Sequence, residues 1–221
     1  MKDAAMPKSQ PPRPTAALAV ALALSGAGLA LSPVAASSAM AQASDPAAQV
    51  IDGFDHTLLE SMKQSKSLGV QGRFRKLESA VRETYDLTAM MRVAAGAAWA
   101  KMSPADQSAL VAAFGRFSAA TYAHNFDEYS GQKFVVTGVD TRLPDKLVRT
   151  QLIIAGEAPI SLVYRMRETG GRWRIIDVFY NGTISQLAQQ ASDFAGTLAA
   201  GGAPALIKNL DGKTDQLLHD G

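Results

Sequence analysis

From residue 45 to about residue 129, apolar residues return at steps of three and four, the spacing of a helix with one buried face. Val50, Ile51, Phe54, Leu58 and Met62 form a first stripe, and Gly69 and Gly72 punctuate the chain after it. Phe74, Leu77, Val81 and Tyr85 form a second stripe. Asp86 is placed to cap a short third helix, with Leu87, Met90 and Val93 inward and an end near Gly96. After Trp99, the run Ser103-Pro104-Ala105-Asp106 has the chemistry of a helix start: a hydroxyl for the free amides, proline in the first turn, and an acid near the positive end of the dipole. The fourth helix is expected to reach about Glu128. It carries Leu110, Val111, Phe114, Phe117, Tyr122, Phe126 and Tyr129, more than one apolar face.

At Ser130-Gly131 the period changes to two. Strands are expected at 133–140, 147–155, 160–167 and 173–180, joined by short turns at Pro144-Asp145, 156–159 and 169–171. Such turns make an antiparallel meander. Val148, Thr150, Leu152 and Ile154 share one face with Ile160, Leu162, Tyr164 and Met166, while Ser161, Val163, Arg165 and Arg167 turn the other way. Helical spacing returns with Ile184, Leu187, Ala191, Phe194 and Leu198, stops at Gly201-Gly202, and resumes after Pro204 with Leu206, Ile207 and Leu210. The fold class is therefore α+β: N-terminal helices, a four-stranded curved antiparallel sheet, and C-terminal helices.

The first 43 residues do not belong to this pattern. Lys2, Lys8 and Arg13 precede an uncharged stretch at 16–31, followed by a small-residue run offering Ala39-Met40-Ala41 and Ala41-Gln42-Ala43. That is the layout of a secretory signal, cleaved to leave a chain beginning at Gln42 or Ser44, in the periplasm. The competing reading is a retained anchor, but the stretch is shorter than the roughly 20 residues a spanning helix requires. Residues 44–221 then form a single domain. The leader holds three of the 22 basic and one of the 20 acidic residues, so 19 of each remain and the domain is formally neutral. With no basic tract, nucleic acid is not an expected partner. The absence of cysteine excludes disulfides and thiolate chemistry.

Catalytic and metal-binding patterns are not found. His56, His124 and His219 are too far apart in sequence for a metal-ligand spacing, and no phosphate loop, nucleophile elbow or dinucleotide fingerprint occurs. His124 reads as a hydrogen-bonded core or rim histidine. Asp177, an acid within an apolar strand, is either a general base or the partner of Arg165 or Arg167 on the preceding strand; the ion pair is the favoured reading.

Several segments, in order, resemble the MlaC family, also called the toluene-tolerance auxiliary family. They are Tyr85-Asp86-Leu87, the Trp99 region, Ser103-Pro104-Ala105-Asp106-Gln107, Ala112-Ala113-Phe114, Tyr129-Ser130-Gly131, Val148-Arg149-Thr150, Pro159-Ile160 with Tyr164-Arg165, and Trp173-Arg174-Ile175-Ile176-Asp177-Val178. The resemblance implies an NTF2-like cone and a periplasmic carrier that holds a phospholipid by its acyl chains. It also implies partners: an outer-membrane lipoprotein on one side and an inner-membrane ABC transporter with an MCE-domain protein on the other. Gly182-Thr183-Ile184-Ser185-Gln186-Leu187 is closer to the hopanoid-associated HpnM branch, which makes the cargo a phospholipid or a hopanoid. No cofactor is implied. The cargo is expected between the inner sheet face and the fourth helix, lined by Tyr122, Phe126, Leu152, Ile154, Leu162 and Tyr164. Two other readings stand beside the carrier. One is an enzyme with Asp177 as base and Tyr164 as oxyanion donor; the other is a non-carrier accessory of a lipid-synthesis or transport complex.

Overall fold

The computed structural model describes residues 45–219, which fall within one compact unit. The leader and its cleavage sites lie outside the described residues. Helix α1 (Pro46–Lys63) begins at an Asp45 cap that accepts from the Ala47 amide at 2.9 Å, with Pro46 in the first turn. Its buried residues include Ile51, Phe54, Leu58 and Met62, as the stripe predicts. Helix α2 (Ser65–Thr84) leaves helical geometry at Gly69 and then buries Gly72, Leu77 and Val81. Asp86 caps α3 (Leu87–Ala95) through the Ala89 amide, as expected.

On α3 the buried side is Met90, Met91, Ala94 and Ala95, whereas Val93 is 62% exposed, against the expected inward position. The helix is apolar nearly all round, so two stripes fit its spacing equally and tertiary packing selects one. A 3-10 turn (Gly96–Lys101) buries Trp99 and leads to α4 (Pro104–Asn125). Ser103 and Asp106 cap that helix reciprocally, with the Asp106 amide donating to Ser103 Oγ at 3.1 Å and Ser103 Oγ donating to Asp106 Oδ2 at 2.8 Å. The helix ends one turn before the expected Glu128, leaving Tyr129 outside it and exposed.

Strands β1 (Lys133–Arg142), β2 (Asp145–Ile153), β3 (Ile160–Thr169) and β4 (Arg172–Tyr180) form the antiparallel meander, and a two-residue β5 (Ile184–Ser185) adds a fifth strand at the edge. The β3–β4 hairpin turns on Gly170 and Gly171, both at positive φ, a conformation costly for other residues. Helix α5 (Gln186–His219) breaks at Gly202, with φ 64° and Pro204 following, where the glycine stop is expected.

Helix α1 packs on the sheet against β1, β2 and β4; α2 packs on α1, and α4 is sandwiched between α2 and α5. The helix lying on the inner sheet face is thus the first, whereas the fourth was expected there. One hydrophobic core joins all five helices to that face, including Phe54, Leu77, Phe114, Tyr164, Ile175 and Leu206.

The expected Asp177 pairing is not formed. A bulge at Ile176 places Asp177 opposite Arg165, yet Arg165 and Arg167 both donate to Asp145 on β2, at 2.6 Å through each Nε. The Asp145 side chain is 3% exposed, so it holds both guanidinium groups by being nearly dry. Asp177 is met instead by the amides of Val178 and Leu187 and by Ser185 Oγ, at 2.8, 3.2 and 2.7 Å. It ties β4 to the start of α5.

Candidate functional site

Cross-strand pairing fixes three of the six candidate residues. Leu152 lies between Phe134 and Ile160, Leu162 opposite Thr150, and Tyr164 opposite Val148 and Val178. Directly opposed residues share a face, so these three look toward the helices. Ile154 falls one residue beyond β2 and is half-buried. Tyr122 and Phe126 stand one turn apart at the C-terminal end of α4, Phe126 being the cap residue.

A seam of rings then connects helices to sheet. Tyr122 packs edge-on to Phe54 of α1 at 5.3 Å; Phe126 lies 5.8 Å from Tyr122 and 6.1 Å from Phe134 of β1. Since Phe134 opposes Leu152, the seam brings Tyr122, Phe126 and Leu152 to one end of the sheet, where β2 ends and β3 begins. Lys63, the last residue of α1, sits over the Tyr129 ring at that same end. Leu162, Tyr122 and Phe126 are partly buried, Leu152 and Tyr164 almost fully. Two surface clefts of about 650 and about 300 Å³ lie on the helical side, and neither is lined by any of the six residues.

Tyr164 leads deeper. Its hydroxyl donates to Asp55 Oδ1 of α1 at 3.3 Å, and Asp55 is 4% exposed. Beside them the hydroxyls of Tyr85 and Tyr122 share a hydrogen bond of 2.5 Å. Burial pushes the Asp55 carboxyl well above the usual carboxylate range, with the Tyr164 hydrogen bond opposing and the charge of Asp52 adding. Burial also raises the phenols: Tyr122 is pushed up to about 12 despite the Tyr85 hydrogen bond, and Tyr85 and Tyr164 well above 10. The three phenols are therefore neutral near pH 7, and burial biases the Asp55 carboxyl toward its protonated form. Asp55 was not singled out in the sequence, although it occupies a buried position of the first stripe, four residues after Ile51 and one after Phe54. An acid on an apolar stripe was the available signal.

The enzyme constellation does not assemble. Asp177 opposes Arg165 and Tyr164 opposes Val178, so the two candidates point to opposite sides of the sheet, each with its own partner. His124 Nδ1 is buried without a hydrogen-bond partner among the described residues, contrary to the hydrogen-bonded reading. No group of acids and histidines that could hold a metal occurs among the described residues.

A family model described as MlaC protein matches residues 54–212. A solved structure of the phospholipid-binding protein from Ralstonia solanacearum, in complex with a phospholipid, is similar with a TM-score of 0.68 and 20% identity; the match covers 78% of this chain and 99% of that one. At that identity the likeness speaks for the fold. No curated protein matches.

Proposed function

The chain belongs to the MlaC family, and from that premise we propose that it is a periplasmic lipid carrier. The family match across residues 54–212, which runs from α1 to α5, carries the reading. The solved relative, described as holding a phospholipid, supports phospholipid as the cargo. The closer likeness of residues 182–187 to the HpnM branch keeps a hopanoid as the alternative. In this proposal residues 1–43 are the cleaved export signal. The carrier exchanges its lipid with an inner-membrane ABC system bearing an MCE-domain protein and with an outer-membrane lipoprotein.

The chemistry asked of the protein is sequestration. Two acyl chains carry about 30 methylenes, and exposing them to water costs more than about 20 kcal/mol. No set of head-group contacts offsets that, so the chains must lie in apolar space. Tyr122, Phe126, Leu152, Ile154, Leu162 and Tyr164 are the proposed lining, reached when α1 or the end of α4 parts from the sheet along the aromatic seam. Such a site uses no acid, base or metal, and the carrier reading is a binding function rather than catalysis. Among the described residues no helix is long and apolar enough to cross a membrane.

Organic extraction of the purified, exported protein followed by mass spectrometry tests the proposal. Lipid at near one molecule per chain is expected, and its class separates phospholipid from hopanoid. A lipid-free protein that also fails to take up lipid from vesicles would remove the carrier reading.

A further inference from the structure

Two buried polar side-chain atoms on either side of the sheet–helix seam have no hydrogen-bond partner among the described residues: Asp55 Oδ2 on α1 and Thr150 Oγ1 on β2. Asp55 touches the sheet through Tyr164, and Thr150 lies on the same sheet face, opposite Leu162 and Val136. An unmet buried polar atom costs more than a made hydrogen bond returns, so such atoms in a dry seam ask for an explanation. Packing supplies none. A valine in place of Thr150 would fill its position without the cost, and the Tyr164 hydrogen bond accounts for only one of the two Asp55 oxygens.

We propose that the Asp55–Tyr164 pair, with Thr150, is a recognition point for a neutral hydroxyl carried within the apolar part of the cargo. This deepens the carrier reading and rests on it. A hydroxyl both donates and accepts, so it partners Asp55 Oδ2 whether the carboxyl is protonated or not. A phosphate is a poor occupant, because the nearby cations are committed. Lys146 is paired to Asp45 at 2.7 Å and lies over the Trp173 ring; buried Arg73 donates to the carbonyls of Ala123 and Ser65. An ammonium is no better, since burial disfavours the ionised Asp55 carboxyl that would have to balance it. The position along the ligand follows from α1. Asp55 precedes Lys63 by eight residues, about 12 Å at the helical rise, so the recognised hydroxyl belongs along a chain or ring system and not to a head group.

The test is competition on the delipidated mature protein, using a fluorescent fatty acid displaced by stearic acid, a mid-chain hydroxystearic acid or the alpha-hydroxy isomer. The mid-chain isomer is expected to bind about fivefold tighter than stearic acid, the worth of one neutral hydrogen bond, and the alpha isomer to match stearic acid. In Asp55→Leu, or in Tyr164→Phe if the first does not fold, the ratio should fall to near one. Equal binding of all three acids by the unaltered protein would overturn the proposal, as expected if ordered water meets these atoms. A preference that survives both substitutions overturns it equally. If none of the acids displaces the probe while vesicle lipid is still taken up, only the hydroxyl site fails; if neither binds, the carrier reading fails with it.

Discussion

Asp177 accepts the Leu187 amide at 3.2 Å, so a carboxylate of β4 caps the first turn of α5 ten residues later. Ser185 joins the same junction, donating its hydroxyl to Asp177 and accepting the Ala188 amide at 2.9 Å. Helix starts leave amides without intrahelical partners, and this one is served from the sheet. Because α5 packs on both α3 and α4, the junction orients the longest helix among the described residues relative to β4.

The two roles once open to Asp177 are separable by substitution. Asp177→Ala removes every acceptor and should cost about 1–3 kcal/mol of stability. Asp177→Asn keeps an oxygen for the Leu187 amide, and Ser185 can reverse its hydroxyl, so the cost should be clearly smaller. Lost ion pairing would instead make the two variants equal. Thermal melts of both, with lipid content per folded molecule unchanged, check this.

Tyr85 and Tyr122 should behave as one unit. Replacing either by Phe strands the partner's hydroxyl in a buried site, at about 1–2 kcal/mol, while the double replacement leaves nothing stranded. Denaturant midpoints for the two single variants and the double variant should therefore be strongly non-additive. Additive losses would mean that the hydroxyls do not depend on each other.

Asp55 makes stability fall as pH rises. Its folded pKa lies above the unfolded value of about 4, so between those two values the folded state binds the extra proton. Its contribution is complete below about pH 4 and is lost as pH climbs toward the folded pKa. The groups around it, Tyr164, Tyr85 and Tyr122, stay neutral over that span, and burial raises Asp52 in the same direction. Asp55→Asn should flatten this slope. Melting temperatures of both proteins between about pH 5 and about pH 8 should diverge in favour of the variant as pH rises. Parallel curves would place the buried carboxyl in contact with water.

Leu162→Asp tests the proposed lining. Leu162 is partly buried on the inner face, opposite Thr150 and Tyr180, so a charge there meets apolar contacts. Lipid retention should be abolished in a variant whose circular dichroism is unchanged. Normal lipid content in that folded variant would move the cargo elsewhere.

Much of the fold was legible because local chemistry and packing agree. Asp45-Pro46, Asp86 and Ser103-Pro104 start helices where their side chains can cap them, and the strands alternate as paired. What escaped depends on contacts between distant segments. Nothing in the sequence says that Arg165 and Arg167 turn to Asp145, because the choice is made by the burial of Asp145 between two strands. The bulge at Ile176 and the two-residue β5 are too short to leave a period. Five of the six candidate residues do gather along the seam or the inner sheet face, since alternation fixes a strand's face and Tyr122 and Phe126 stand one turn apart on α4 and its cap. Ile154 lies just past the strand that was to carry it. Asp55 was passed over because the first stripe was read from its apolar residues alone, and its partner Tyr164 lies 109 residues away.

The fastenings of this domain are unequal along the sheet. Asp45 holds Lys146, Asp145 holds Arg165 and Arg167, and Thr169 donates to Asp86, all toward the end where β2 begins and β3 finishes. At the opposite end, where Phe126 meets Phe134 and Lys63 covers Tyr129, buried Arg73 ties helices to one another, but the contacts named between helix ends and sheet are ring against ring and cation against ring. Such contacts lack the directionality of the charged bonds, and one apolar surface replaces another at little loss. The molecule is built like a book with a sewn spine and an unsewn fore-edge: the entry of cargo proposed above would part the fore-edge while the spine kept its strand order and its helices in place.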